Sequence, residues 1–536
     1  MQPTFVKTED AALEKAENEV AAALFHKTAL LRFKNWLRSP LLRLPAEILT
    51  HILSYIMEDM EYPHVWRPTF STCHRIHTIM CTTTELWRKA NFTLDKSACL
   101  ALKRSMGNIR EITVDFQASE DRRNEWTRFV MGFCRDNLVL RGDNLHTVDL
   151  RGSPSDLISW SWIFKRPLPR LHDLKIHFAA YNEADTYSLR NPVALELPTD
   201  LSLRVLDLRN ATLPWSSNFF TGLRELHLAF DDCDTYVEIS EDELLGILEA
   251  SPQLERLSLE SLTPRIPIIN GQLQYTPVRI ARLPRLTSLK LDNLPEHTGY
   301  ILAHMNIPAI TSFEIRSQLS FQEVEQDVKE SLDLFFPDNH IPNRLFPNPP
   351  VFEVLPDSIN GTCDSLMINI GSAKIQFEYD MDLVETSCNA IMTCIYPLVP
   401  SSVTTLRLGY SSLSEEEWEV FFLSHPEIRS IEFMESARDP MSDSLWGALS
   451  PGPDAVPLCP YLESISVFDL APTSLLDCLR NRKNAGFGIR HLKLWGVDVE
   501  LVGEFRLLVG EFQALSKPVH PLDKVRLVSM DELDIC

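Results

Sequence analysis

From about Asn108 to the end of the chain one short pattern keeps returning: an apolar residue, two variable residues, an apolar residue, one variable residue and a third apolar residue. It stands as Ile109-Ile112-Val114, Leu145-Val148-Leu150, Leu171-Leu174-Ile176, Leu203-Leu206-Leu208, Leu223-Leu226-Leu228, Leu254-Leu257-Leu259 and Leu286-Leu289-Leu291. It weakens to Ile310-Phe313-Ile315 and Cys363-Leu366-Ile368, then returns as Val403-Leu406-Leu408, Ile428-Ile431-Phe433, Leu462-Ile465-Val467 and Ile489-Leu492-Leu494. Each unit is too short to bury its own apolar residues and must stack on the next, so the repeat constrains the fold more than composition does. The last two apolar residues of a unit lie two apart, pointing to one face of a short strand while their neighbours point to the other. Stacked in order, the strands make a curved parallel sheet.

Helices are expected between the strands. Ser240 with Glu243, and Ser414 with Glu417, each precede an apolar run and match a capping box, in which side chain and backbone satisfy each other at a helix start. Ser251-Pro252 and His425-Pro426 end those helices, because proline cannot continue one. Spacings between successive units run from 20 residues, Leu203 to Leu223, to 53, Ile310 to Cys363, so the array is irregular. The long gap holds an insertion at about 317–362. Its acidic first part, Phe321 to Phe335, suits an amphipathic helix, and its proline-rich second part, Pro337 to Pro356, suits an extended loop.

Ahead of the repeats the chain reads differently. From Thr8 to about Leu37 it is rich in Ala, Glu, Leu and Lys without Gly or Pro, which favours a helix that Ser39-Pro40 then breaks. Pro45 and Glu47 suit the first turn of a second helix, with Ile48, Leu49, Ile52, Leu53 and Ile56 as its apolar stripe. A third helical stretch covers Thr72 to about Cys81, with Leu86-Trp87 beyond it. The expected division is therefore a helical segment at 1–40, a helical module at 41–95 and the repeat region at 96–536.

Charge and motifs narrow the function. The balance of 51 basic against 74 acidic residues, formally -23, repels phosphate backbones and anionic lipid heads, so neither nucleic acid nor membrane is expected as a partner. The first ten residues lack the features of a signal peptide, and no run approaches a membrane span, so a cytoplasmic chain is expected, with the nucleus open. The 11 cysteines are scattered without CxxC pairs, implying neither a metal site nor a disulfide framework. GxSxG, HExxH, GxxxxGK[ST] and GxGxxG patterns do not occur, so no enzyme and no cofactor is expected.

The segment Leu44 to Trp87 resembles the F-box. The resemblance rests on Leu44-Pro45-Ala46-Glu47-Ile48-Leu49 behind Ser39-Pro40, as in fungal members, then Cys73-His74-Arg75-Ile76 and Leu86-Trp87. Ile76 stands where the family usually has tryptophan, and Thr84 where proline is frequent. The repeat region resembles the leucine-rich repeats carried by many F-box receptors. The resemblance implies an α/β architecture: an F-box-like helical module followed by an irregular leucine-rich-repeat solenoid, a curved parallel sheet with helices on its convex side. It implies a substrate-recognition adaptor of an SCF-type cullin-RING ubiquitin ligase, with Leu44, Pro45, Ile48, Leu49, Ile52, Leu86 and Trp87 binding a Skp-type adaptor.

Strand residues between the leucines would then face a protein substrate. The candidates are Arg151, His177, Arg209, His227, Arg256, Lys290, Arg407, Lys493 and Trp495, together with Asp149, Lys175, Asp207, Glu225, Glu432 and His491. Two other readings compete. One is a leucine-rich-repeat scaffold or binding protein without a ubiquitin role. The other is an enzyme whose site is assembled from distant residues.

Overall fold

The computed structural model describes residues 4–58, 73–92, 101, 103–115, 142–154, 161–165, 167–179, 192–198, 201–215, 218–230, 237–266, 268–269, 272–273, 279–307, 312–318, 351–359, 362–370, 373–378, 399, 401–408, 413–433, 443–452, 456–467, 473–495 and 499–515. The fold is α/β, with two compact units: residues 1–221 with 232–235, and residues 222–231 with 236–536.

The first unit opens with helix α1 (Thr4–Arg38), which ends where Pro40 begins the 3-10 turn Leu41–Arg43. Helix α2 (Ala46–Glu58) follows, its first bond running from Leu49 N to the Pro45 carbonyl. Helix α3 (His74–Thr82) is capped by the Cys73 sulfur, which accepts from Ile76 N at 3.3 Å. Leu49, Leu53, Ile76, Ile79, Met80, Leu86 and Trp87 are buried together as the core of this small module. Ile76 is thus a core residue.

Only Arg88 separates the 3-10 turn Thr84–Trp87 from strand β1 (Lys89–Phe92). β1 pairs in parallel with β2 (Glu111–Asp115), then β3 (Thr147–Gly152), β4 (Asp173–Phe178) and β5 (Val205–Arg209). The register aligns the repeat: Ile112, Val148, Leu174 and Leu206 form one buried row, and Val114, Leu150, Ile176 and Leu208 the next.

In the second unit β6 (Glu225–Ala229), β7 (Arg256–Glu260), β8 (Ser288–Asp292) and β9 (Ser312–Gln318) pair in the same parallel manner. Helix α4 (Glu241–Ala250) lies between β6 and β7 in sequence, and α5 (Pro295–Ala303) between β8 and β9. After the interruption described below, β13 (Thr405–Leu408), β14 (Ser430–Phe433), β15 (Ser464–Val467), β16 (His491–Trp495) and β17 (Glu511–Leu515) resume the parallel order. Their connections are helices α6 (Glu415–Ser424), α7 (Asp443–Leu449), α8 (Thr473–Asn484) and α9 (Val499–Leu508). Trp446 of α7 lies 5.6 Å from the Phe433 ring of β14, and Phe505 of α9 stacks on Phe512 of β17, so helices close over the buried strand face. Both capping boxes form, at Ser240/Glu243 and Ser414/Glu417.

Two expectations change. Leu366 and Ile368 do not sit on a parallel repeat strand. They belong to β11 (Thr362–Ile370), which runs antiparallel to β10 (Val351–Ile359) on one side and β12 (Ala373–Glu378) on the other. β12 pairs in parallel with β9, and β10 in parallel with β13, so an antiparallel three-strand segment is spliced into the parallel run. Likewise residues 351–356, expected as loop, are strand. Pro356 lies within β10, opposite Leu366 of β11. The acidic stretch Phe321 to Phe335, the prolines up to Pro350, and Ile310 lie outside the described residues.

Candidate docking surfaces

The N-terminal helical module presents part of its apolar sequence outward. Ile48 is 48% exposed, Pro45 is exposed, and Leu44 and Ile52 are half-buried. Leu49, Leu86 and Trp87, expected at the adaptor surface, are instead between 1% and 5% exposed. A helix can offer only one face outward, and here the Leu49–Leu53 face is spent on α3 and the Leu86-Trp87 turn. Arg75, on α3, holds the presented turn. Its guanidinium donates to the Leu42 carbonyl and, at 2.7 Å, to the Leu44 carbonyl. The Trp87 indole N–H donates to the Met80 carbonyl, and the Arg104 guanidinium lies 5.2 Å from the Trp87 ring centre.

The unburied face of each strand row carries the other candidates. In the first unit Arg151, His177 and Arg209 stand side by side in register on β3, β4 and β5. Carboxylates interleave with them: Arg151 grips Asp149 through two bonds of 3.0 Å, and His177 Nε2 lies 2.9 Å from Asp207.

In the second unit His227, Ser258 and Lys290 are in register on β6, β7 and β8 and converge on Glu260. Glu260 Oε1 lies 3.0 Å from His227 Nε2 and accepts from Ser258 at 3.0 Å and Lys290 at 2.6 Å. Burial pushes the Glu260 carboxyl up, but the hydrogen bonds from His227 and Lys290, and the Lys290 charge, outweigh it and carry it down to about 2. Arg256 pairs with Glu225, and Arg407 with Glu432 at 2.8 Å. Lys493 lies in register between Ser466 and Gln513, exposed, with half-buried Trp495 two residues along the same strand.

Glu260 escaped the sequence reading although a signal was there. It occupies the position just after the last apolar residue of its unit, as Arg151, His177 and Arg209 do in theirs. A second missed feature is the asparagine one residue after that position. Asn210, at φ 55°, donates to the Phe178 carbonyl at 2.9 Å, and Asn293 bridges the Leu259 carbonyl and Leu262 N–H at 3.1 and 2.7 Å. Both are buried and tie one strand's exit to the preceding strand.

Ion-paired rows of this kind make a polar platform suited to surface recognition. Among the described residues no group of three His, Cys, Asp or Glu side chains is placed to hold a metal ion, and no helix is long and apolar enough to cross a membrane.

No family model and no curated protein matches the chain. Among solved structures, the crystal structure of the Rad7 and Elc1 complex in yeast is similar to it over 83% of this chain and 98% of that one, at 13% identity and a TM-score of 0.29.

Proposed function

We propose that the chain is a substrate-recognition adaptor of an SCF-type cullin-RING ubiquitin ligase. In this reading Leu44, Pro45, Ile48 and Ile52 dock a Skp-type adaptor, and the strand rows form a leucine-rich-repeat solenoid that holds a protein substrate. The observation that carries the reading is the outward apolar surface at Leu44, Pro45 and Ile48, fixed from behind by Arg75, in a module that runs into β1 through one residue. An exposed apolar surface of this kind favours association, and the one-residue connection to β1 supports a mechanism by proximity: a substrate on the strands of the first unit stays near the ligase. No covalent step belongs to this chain.

The test is co-purification with a recombinant Skp-type adaptor, comparing wild type with Leu44→Ala/Ile48→Asp. A stoichiometric complex with wild type that the folded variant fails to form supports the reading. A folded wild type that does not bind leaves the scaffold reading, in which the helices only cap the repeats.

A further inference from the structure

Every described side chain of α1 from Lys15 to Arg38 is exposed. That is unusual for a 35-residue helix whose second half carries large apolar residues. Phe25, Ala29, Phe33, Trp36 and Leu37 recur at three- and four-residue steps and so share one face. Their exposure runs from 41% at Trp36 to 72% at Phe25 among the large ones, and Phe33 stacks on Trp36 with ring centres 6.0 Å apart. The exposed apolar sequence does not stop at the helix end. Leu41, 44% exposed, continues it on the turn Leu41–Arg43, whose bond from Arg43 N to the Pro40 carbonyl at 3.1 Å leads directly to Leu44, Pro45 and Ile48.

Charge separates this stretch from the rest of the chain. Between Glu19 and Glu47 there is no acidic residue, while Lys27, Arg32, Lys34, Arg38 and Arg43 are basic, in a chain of formal charge -23. Two copies of such a helix would bring like charges together along the overlap, which disfavours self-pairing through this half.

We infer that the second half of α1 is a further arm of the adaptor interface: the partner that takes Leu44, Pro45 and Ile48 also covers the Phe25–Leu37 face with an apolar groove rimmed by acidic residues. The inference rests on the ligase-adaptor reading. Continuity of the apolar surface gives one partner for both patches, and the basic flanks give that partner its charge.

The experiment is titration calorimetry of the full chain with a recombinant Skp-type adaptor, using wild type, Phe33→Ser/Trp36→Ser, Lys27→Gln/Lys34→Gln/Arg38→Gln, and Ile48→Asp. Circular dichroism checks that each is folded. The Phe33/Trp36 variant is expected to bind about tenfold or more weakly. The charge variant is expected to lose most of the salt dependence that wild type shows between about 50 and about 500 mM.

If wild type binds, Ile48→Asp does not, and the Phe33/Trp36 variant binds like wild type, the helix has no part in the interface and the inference falls while the ligase reading stands. It falls equally if the Phe33/Trp36 change alters only self-association in light scattering, or only binding to phosphatidylserine vesicles, since the face then has another occupant. A folded wild type that ignores the adaptor overturns both.

Discussion

Arg75 donates to the Leu44 carbonyl at 2.7 Å, so the residue that opens the presented surface is positioned by a side chain from the next helix. The fork also reaches Leu42, which a lysine's single ammonium does not reproduce in the same geometry. Arg75→Ala leaves two carbonyls without their donor and is expected to cost about 1–3 kcal/mol in urea unfolding. Arg75→Lys is expected to recover part of that stability but little of the affinity for a Skp-type adaptor, because the turn at Leu44 and Pro45 loses its fixed orientation. Equal adaptor affinity for Arg75→Lys and wild type would remove Arg75 from the account of the site.

Glu260 sets a pH dependence. Its carboxyl lies at about 2 in the folded chain against an ordinary 4.5. Stability from this group is therefore fully present above about pH 4.5 and is lost as pH falls toward about 2. The difference is on the order of 3 kcal/mol, less whatever His227 and Lys290 recover by solvation. Glu260→Gln is expected to unfold at lower urea near neutral pH and to show a flatter loss of stability on acidification. Parallel acid-unfolding curves for the two proteins would contradict the assignment.

Arg482 of α8 is fully buried and faces main-chain carbonyls: Leu449 at 3.2 Å, Leu458 at 2.9 Å and Cys459 at 2.8 Å. Burial lowers its pKa, and the bonds to three carbonyls offset the cost of holding the cation there. Arg482→Leu removes the charge but strands the carbonyls, which stay where α7 and the 458–459 turn put them. The expected loss is about 2–4 kcal/mol by urea unfolding, with adaptor binding unchanged at temperatures where the variant is folded. An unchanged urea midpoint would mean that water serves those carbonyls as well.

How much of this was legible in the sequence depends on whether the deciding interaction was local. The buried rows were legible because Leu206 and Leu208 declare their face by period two, whatever they pack on. Ser240 and Glu243 were legible because a capping box closes within four residues. The spliced strands were readable in principle: Asn360-Gly361 lies between Ile359 and Thr362, which pair, and Gly371-Ser372 between Ile370 and Ala373, which pair too. Such dipeptides between alternating apolar runs are hairpin signals, but the apolar spacing of Cys363, Leu366 and Ile368 imitated the repeat and hid them. Which of Ile48 and Leu49 faces outward was not legible, because it depends on where α3 docks. Nor was the convergence on Glu260, whose partners lie 33, 2 and 30 residues away.

The thiols offer a test that joins the module's structure to its binding. Burial pushes the Cys459 and Cys478 thiols up to about 12, despite the nearby Arg482 charge, so almost none of either is thiolate near neutral pH. Cys73 and Cys81 are only half-buried. Brief alkylation of the native chain with iodoacetamide, read by peptide mass spectrometry, is therefore expected to mark Cys73 and Cys81 while sparing Cys459 and Cys478 until urea is added. Modification at Cys73 has a second consequence, since its sulfur caps α3 at Ile76 N and α3 carries Arg75. Alkylated chain is expected to bind a Skp-type adaptor more weakly, and Cys73→Ser, which keeps a capping acceptor and cannot be alkylated there, is expected to retain binding after the same treatment. If Cys73→Ser loses binding as fast as wild type, the sensitive group lies elsewhere and the link from the α3 cap through Arg75 to the Leu44 turn is broken.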